Sequence, residues 1–218
     1  MIIKHMCSKN RLNDKGFTIL ELLIATAISS GAILMLMFGF LSISQSYTKG
    51  LTVAETQNTA RDVVNTISQS IQFGDPNLIN TNYIGIPDGW FCADNDIFVY
   101  QLGQSVSKTT DALVESPLDT ACPLTATTSS YPDGKELLGP NMRLTGFSVT
   151  PGPDNTYVIN VRVVYSVNNT FLIGVTQPSG PTLYYDQGSS KVICSGQSGQ
   201  DFCATAGLQT VVESRIAN

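Results

Sequence analysis

The 218-residue chain is short of charge, poor in cations and nearly devoid of histidine. Only 13% of its residues are Asp, Glu, Lys or Arg, and from Phe17 to Ile43 the single charge is Glu21. A helix of that extent is roughly 40 Å long, enough to cross a hydrocarbon core of roughly 30 Å with some tilt. One membrane span is therefore expected over 17–43. The run ends without a small-residue cleavage site and exceeds the apolar region of an ordinary secretory signal, which excludes that reading. Lys4, Lys9, Arg11 and Lys15 precede it, and the next cation is Lys49. By the positive-inside rule the basic end stays in the cytoplasm and the long C-terminal part is exported. An acid at mid-bilayer costs up to about 3 kcal/mol, so Glu21 marks a functional position that needs a partner. The plainer alternative is a side chain snorkelling to the interface of a signal anchor.

The residues GFTILE, with a basic leader before them and LLIATAIS after, resemble the class III signal of type IV pilins and type II secretion pseudopilins. The resemblance covers about the first 45 residues, and it implies removal of the leader 1–16. In that family a membrane-embedded prepilin peptidase cuts after the glycine and N-methylates the new first residue. By position, the cut falls between Gly16 and Phe17, Phe17 is methylated, and Glu21 is the acid five residues into the mature chain. The resemblance implies that Glu21 pairs with the terminal ammonium of a neighbouring subunit and sets register in a helical fibre, since a buried charge gains most from a fixed counter-charge.

Removing the leader takes four of the 12 Lys and Arg and one of the 17 Asp and Glu, leaving eight cations against 16 acids. His5 leaves too, which removes Ser-His-Asp and Cys-His catalysis and histidine metal sites from the mature chain. The remaining acids are scattered through Asn-, Ser- and Gly-rich sequence, so neither an enzyme nor a cofactor is expected. DNA draws on a positive surface, and beyond residue 75 only Lys108, Lys135, Lys191, Arg143, Arg162 and Arg215 are available, so nucleic acid is not an expected partner.

Cys7 falls in the leader and fails as a lipobox cysteine, because no apolar region precedes it. Cys92, Cys122, Cys194 and Cys203 form an even set in an oxidising compartment, implying two disulfides. Three connectivities are open. The favoured one joins Cys92 to Cys122 and Cys194 to Cys203, because each closes a local loop; the second also resembles the C-terminal disulfide loop common in pilins. A four-cysteine zinc site wants C-x-x-C pairs, which are lacking, so no metal is assigned.

No proline occurs from Gln45 to Gln72, and Val53, Ala60, Val64, Ile67 and Ile71 draw an apolar stripe. Asn58, Arg61, Asp62, Asn65 and Gln69 fill the opposite face. The N-terminal helix is thus expected over 17–72, with Gly39 and Gly50 as weak points and Gly74-Asp75-Pro76 as the stop. The exported domain, 73–218, carries strand candidates over 96–102, 142–150, 157–167 and 171–176. PGPDN should join the second and third as an antiparallel hairpin. The stretches 103–140 and 177–210 read as polar loops stapled by disulfides. The fold class is α+β: a long N-terminal helix packed on a mainly antiparallel sheet, which is also the type IV pilin fold that the resemblance implies.

Three smaller features invite function. Asp94, Asn95 and Asp96, with Asp201, suggest calcium, but no EF-hand spacing follows, and a solvated approach to a strand is the plainer reading. Asn168-Asn169-Thr170 fits a glycosylation sequon, of little weight in the prokaryote that the leader implies. Tyr83, Trp90, Phe91, Tyr184 and Tyr185 are core aromatics or a binding patch, with Tyr184 and Tyr185 favoured for the patch because they lie in a polar stretch.

The expected function is a minor structural subunit, faintly similar to W-type minor pilins and J-type minor pseudopilins. Glu21 argues against the K-type tip pseudopilin, which lacks this acid. Such a subunit would prime or join a type IV pilus or a secretion or competence pseudopilus. Its expected partners are the prepilin peptidase, other pilin or pseudopilin subunits, the inner-membrane assembly platform and, before assembly, membrane lipid. It would start as a single-pass cytoplasmic membrane protein and end in a surface pilus or periplasmic pseudopilus. The alternatives are a pilus-tip adhesin or other ligand-binding subunit, including one for DNA uptake, and a plain signal-anchored surface protein.

Overall fold

The computed structural model describes residues 18–75, 78–81, 84, 88–93, 95–118, 121–167, 172–173, 175–176, 184–185, 193–194 and 203–215. It has an α+β layout: one long N-terminal helix, two principal antiparallel sheets and two disulfides. The helix, α1, runs Ile19–Phe73, and the chain divides into two compact units, Met1–Ser44 and Gln45–Asn218. Gly39 and Gly50 both lie within α1.

In the first unit α1 is long and apolar enough to cross a membrane, with mean hydropathy 2.1 over its best 18 residues and none of that window buried. Its hydroxyls are satisfied inside the helix: Thr26 Oγ1 donates to the Leu23 carbonyl at 3.0 Å and Ser30 Oγ to Ala27 at 2.9 Å. Polar side chains that bond their own backbone do not need a partner in lipid.

In the second unit the stripe turns inward. Thr52, Thr56, Ala60, Val63, Val64, Ile67 and Ile71 are buried, while Asn58, Arg61, Asp62, Asn65 and Gln69 stay exposed. Two details differ from the sequence reading: Val53 is only half-buried, and Val63 joins the core. The stripe rests on one core shared by both principal sheets.

The first sheet has the order β1-β2-β3-β4, with β1 Asp88–Ala93, β2 Asp96–Gln101, β3 Leu113–Pro117 and β4 Lys135–Glu136. Alternation along a strand gives this sheet two apolar faces. Phe91, Phe98 and Tyr100 enter the main core, and Phe91 stacks on Phe98 directly opposite, ring centroids 4.8 Å apart. Cys92, Ile97 and Val99 face the other way and form a second small core with Ala126, flanked by Trp90, Leu118, Cys122 and Tyr131.

The second sheet has the order β11-β6-β5, from β5 Met142–Pro151, β6 Thr156–Ser166 and β11 Cys203–Glu213. The β5–β6 hairpin turns through Asp154 and Asn155, at φ 54° and 55°, and the Thr156 N–H closes on the Pro153 carbonyl at 3.1 Å. Two consecutive left-handed residues suit Asp and Asn and match the twist of a hairpin. In β5 a bulge between Leu144 and Gly146 leaves Thr145 unopposed across the ladder. The extra residue shifts the phase of the strand. Met142 and Leu144 before it, and Phe147 and Val149 after it, therefore all reach the same core.

The polar stretches differ from expectation. Within 103–140 lie β3 and β4, and β11 begins inside 177–210 and extends to Glu213. Two short pairs complete the described strands: β7 Leu172–Ile173 with β10 Ile193–Cys194, and β8 Val175–Thr176 with β9 Tyr184–Tyr185. β11 escaped the sequence reading because CATAGLQTVVE carries small residues where a central strand carries large ones. Its inward residues Ala206 and Leu208 pack on the core, while Thr205, Gly207, Gln209 and Val211 are exposed.

Candidate functional site at the start of the helix

The helix begins at a cap that the sequence contains in plain form. Thr18-Ile-Leu-Glu21 has the Thr-x-x-Glu spacing of a capping box, in which the first side chain satisfies an orphan N–H of the first turn. Thr18 Oγ1 accepts from the Glu21 N–H at 3.2 Å, and the Thr18 carbonyl accepts from the Leu22 N–H at 3.1 Å. Thr18 is the residue that the sequence reading passed over, although the spacing was there to find it. Glu21 thus lies in the first turn, where the helix dipole favours an acid, and its side chain is exposed. Around it the apolar side chains are bare, Ile19 at 82% and Leu20 at 67% exposure. Gly16 and Phe17 lie outside the described residues, so the predicted cut and the acid are not seen together.

No protein-family model, curated protein or solved structure matches the chain. Its function therefore has to be argued from its own residues.

The four cysteines beyond α1 are joined as Cys92 with Cys122, Cα atoms 5.9 Å apart, and Cys194 with Cys203 at 5.8 Å. The first bond ties β1 to the segment that covers the small second core. Trp90 is half-buried there and donates its indole N–H to the Pro123 carbonyl at 3.1 Å. Phe91 is fully buried. Both aromatics serve packing, not a binding patch. Tyr83 and the side chains of Tyr184 and Tyr185 lie outside the described residues, as do Asp94, Asp201 and the sequon 168–170. Asp96 accepts a hydrogen bond from Ser70 Oγ at 3.0 Å, and among the described residues no group of three metal-ligating side chains is assembled. Arg143, counted above among the cations, is buried and donates to the Ser166 carbonyl at 3.2 Å.

One half-buried carboxylate has a structural task. Glu136 accepts from the N–H groups of Ala112 at 2.6 Å, Leu113 at 3.2 Å and Leu138 at 2.8 Å, fixing the start of β3 against β4. Burial raises its pKa above the ordinary 4.5, against the lowering effect of those three bonds, and Asp111 raises it further. A raised folded-state pKa means that the folded chain binds the proton more tightly than the unfolded chain. The contribution of this group to stability is fully present below 4.5 and is lost as pH rises through the folded value. Glu136→Gln keeps the volume but replaces one acceptor with a donor facing backbone N–H groups, at an expected cost of about 1–2 kcal/mol. Melting of the full chain in lipid nanodiscs, wild type against variant across the acid range, checks both size and sign. The gap should widen on acidification towards 4.5.

Proposed function

We propose that the chain is a type IV pilin-like protein, a minor subunit processed between Gly16 and Phe17 and assembled into, or priming, a pilus or pseudopilus. The observation that carries the reading is α1. One helix joins a bare apolar segment, with an acid in its first capped turn, to a buried stripe seated on antiparallel sheet. A signal anchor needs the span alone. The acid at a fixed place in the first turn suits a subunit that leaves lipid and meets a neighbour's charge, and the amphipathic continuation lets the same helix carry its own β-rich domain.

On this reading the cut creates an ammonium at Phe17, and Thr18, now the second residue, still caps the helix. Glu21 then offers its carboxylate, one turn in, to the ammonium of an adjacent subunit. The apolar surface that met lipid meets other helices in the fibre, so the chain exchanges one apolar surrounding for another. The exported domain stands outside the cytoplasm, consistent with two disulfides there. Its extent and loop content favour a minor over a major subunit, nearest in character to the W-type and J-type proteins.

Processing is tested by intact mass after co-expression with a prepilin peptidase. The expected product starts at Phe17 and carries one added methyl group. A chain that still starts at Met1 overturns the reading.

A further inference from the structure

At the end of β2 the chain turns through Gly103, whose φ of 78° lies in the left-handed region and whose N–H donates to the Leu144 carbonyl at 2.8 Å. A side chain is strained there, so the turn depends on glycine. It delivers Gln104 into a cleft of about 260 Å³ between the 103–112 loop and the single 3-10 turn Thr128–Ser130. Gln104 lines this cleft while only 8% exposed. Its Nε2 donates to the Ser105 carbonyl at 3.3 Å, which orients the amide along the cleft wall. The amide is thus held in the cleft wall with its carbonyl oxygen open to a ligand's donor.

The rest of the lining narrows the chemistry of such a ligand. Gln101 and Asp111 add a second amide and a carboxylate; Thr109, Thr110, Thr128 and Ser129 add hydroxyls and methyl groups. Among the described residues no cation lines the cleft, which disfavours phosphate, sulfate or any other anion. A single carboxylate does not hold a metal. The apolar surface is confined to methyls and side-chain stems, too little for a lipid tail. What remains is a neutral ligand with many hydroxyls and a C–H face, and the volume, at the small end of ligand pockets, suits one unit of it.

The rims are set beforehand. Ser107 and Thr110 share a hydrogen bond at 2.7 Å, Thr110 donates to Ser105, and Thr127 bonds both Ser129 and Ser130 at 3.0 and 2.8 Å. Behind Asp111, Glu136 holds the N–H groups of Ala112 and Leu113. A site whose backbone is already fixed loses little freedom on binding.

We propose that this cleft is a carbohydrate subsite, in which Asp111 and the amides of Gln101 and Gln104 bond adjacent hydroxyls of a single neutral sugar residue. The site lies wholly in the exported domain and does not depend on fibre assembly. A chain that binds sugar but never enters a fibre would keep this inference and lose the assembly reading.

The test is ligand-observed saturation-transfer NMR on the full chain in nanodiscs, prepared without glycosidic detergent. The probes are the methyl glycosides of galactose, mannose, fucose and N-acetylglucosamine. At least one is expected to bind with a Kd of about 1 mM, typical of one shallow subsite. Asp111→Asn, which keeps the shape, and Gln104→Leu should each weaken that binding by about tenfold. Gln69→Ala, at a separate groove, should leave it unchanged. Silence from all four probes overturns the proposal, and so does binding that survives Asp111→Asn with the variant folded. Displacement of the bound glycoside by triglycine at equal concentration would assign the cleft to peptide amides instead.

Discussion

Glu21→Ala is expected to be inserted and cleaved as well as the wild type, yet to enter fibres at least tenfold less often. The two effects separate because alanine suits lipid better than glutamate does. Removing the acid relieves a membrane cost of at most about 3 kcal/mol, the mid-bilayer figure, so residence in the bilayer should improve while assembly fails. Only a partner charge met during assembly reconciles those opposite signs. A tenfold loss needs about 1.4 kcal/mol, well within what one fixed ion pair in a low-dielectric setting supplies. Glu21→Gln tells charge from hydrogen bonding: it keeps an acceptor in the capped first turn but loses the charge, and should fail as alanine does. The measurement is the ratio of sheared-fibre to membrane-bound protein, by immunoblot, in a strain that carries its sibling subunits. Equal incorporation of wild type and Glu21→Ala would sink the assembly role.

Removing the Cys92–Cys122 bond should cost the β-rich domain about 3.5 kcal/mol, against about 2.5 kcal/mol for Cys194–Cys203. The loops are 30 and 9 residues in sequence separation, and the chain-entropy account makes the longer one dearer. Packing adds in the same direction. Cys92 and Cys122 both belong to the small core on the outer face of the first sheet, and the segment with Leu118, Ala126 and Tyr131 is held there by that bond and by Trp90. Paired serine substitutions, compared by thermal melting, should lower the midpoint by about 10 °C for the first pair and less for the second. Hydrogen exchange should quicken first at 118–131. If the second pair proves the more damaging, the loop-length argument fails for this domain.

Much of α1 was legible because its physics is local. A membrane span is a count of apolar residues, a cap is a spacing of three, and the buried stripe of α1 repeats every three or four residues. The 142–150 strand and its hairpin partner were legible for the same reason: their pairing closes through a four-residue loop whose Asp and Asn accept left-handed backbone. The small second core was not. Cys92, Ile97 and Val99 read as one face of ordinary strands, and nothing nearby in sequence announces that Ala126 and Tyr131 return to cover them.

β11 marks the boundary most clearly. Its eleven residues pair along the full length of β6, from Cys203 opposite Ser166 to Glu213 opposite Thr156, across a long intervening segment. The apolar run long enough to cross a membrane, the acid within it and the amphipathic stripe were determined by the sequence alone, since each depends on residues within a few turns of one another. The tertiary structure decided that a run of Ala, Gly, Thr and Gln is a strand, that one extra residue at Thr145 brings both halves of β5 to one core, and that Gln104 and Asp111 line one cleft with Thr128 and Ser129. Such outcomes turn on what a distant segment presents. Strand formation is an agreement between two stretches of chain, whereas a helix needs only itself.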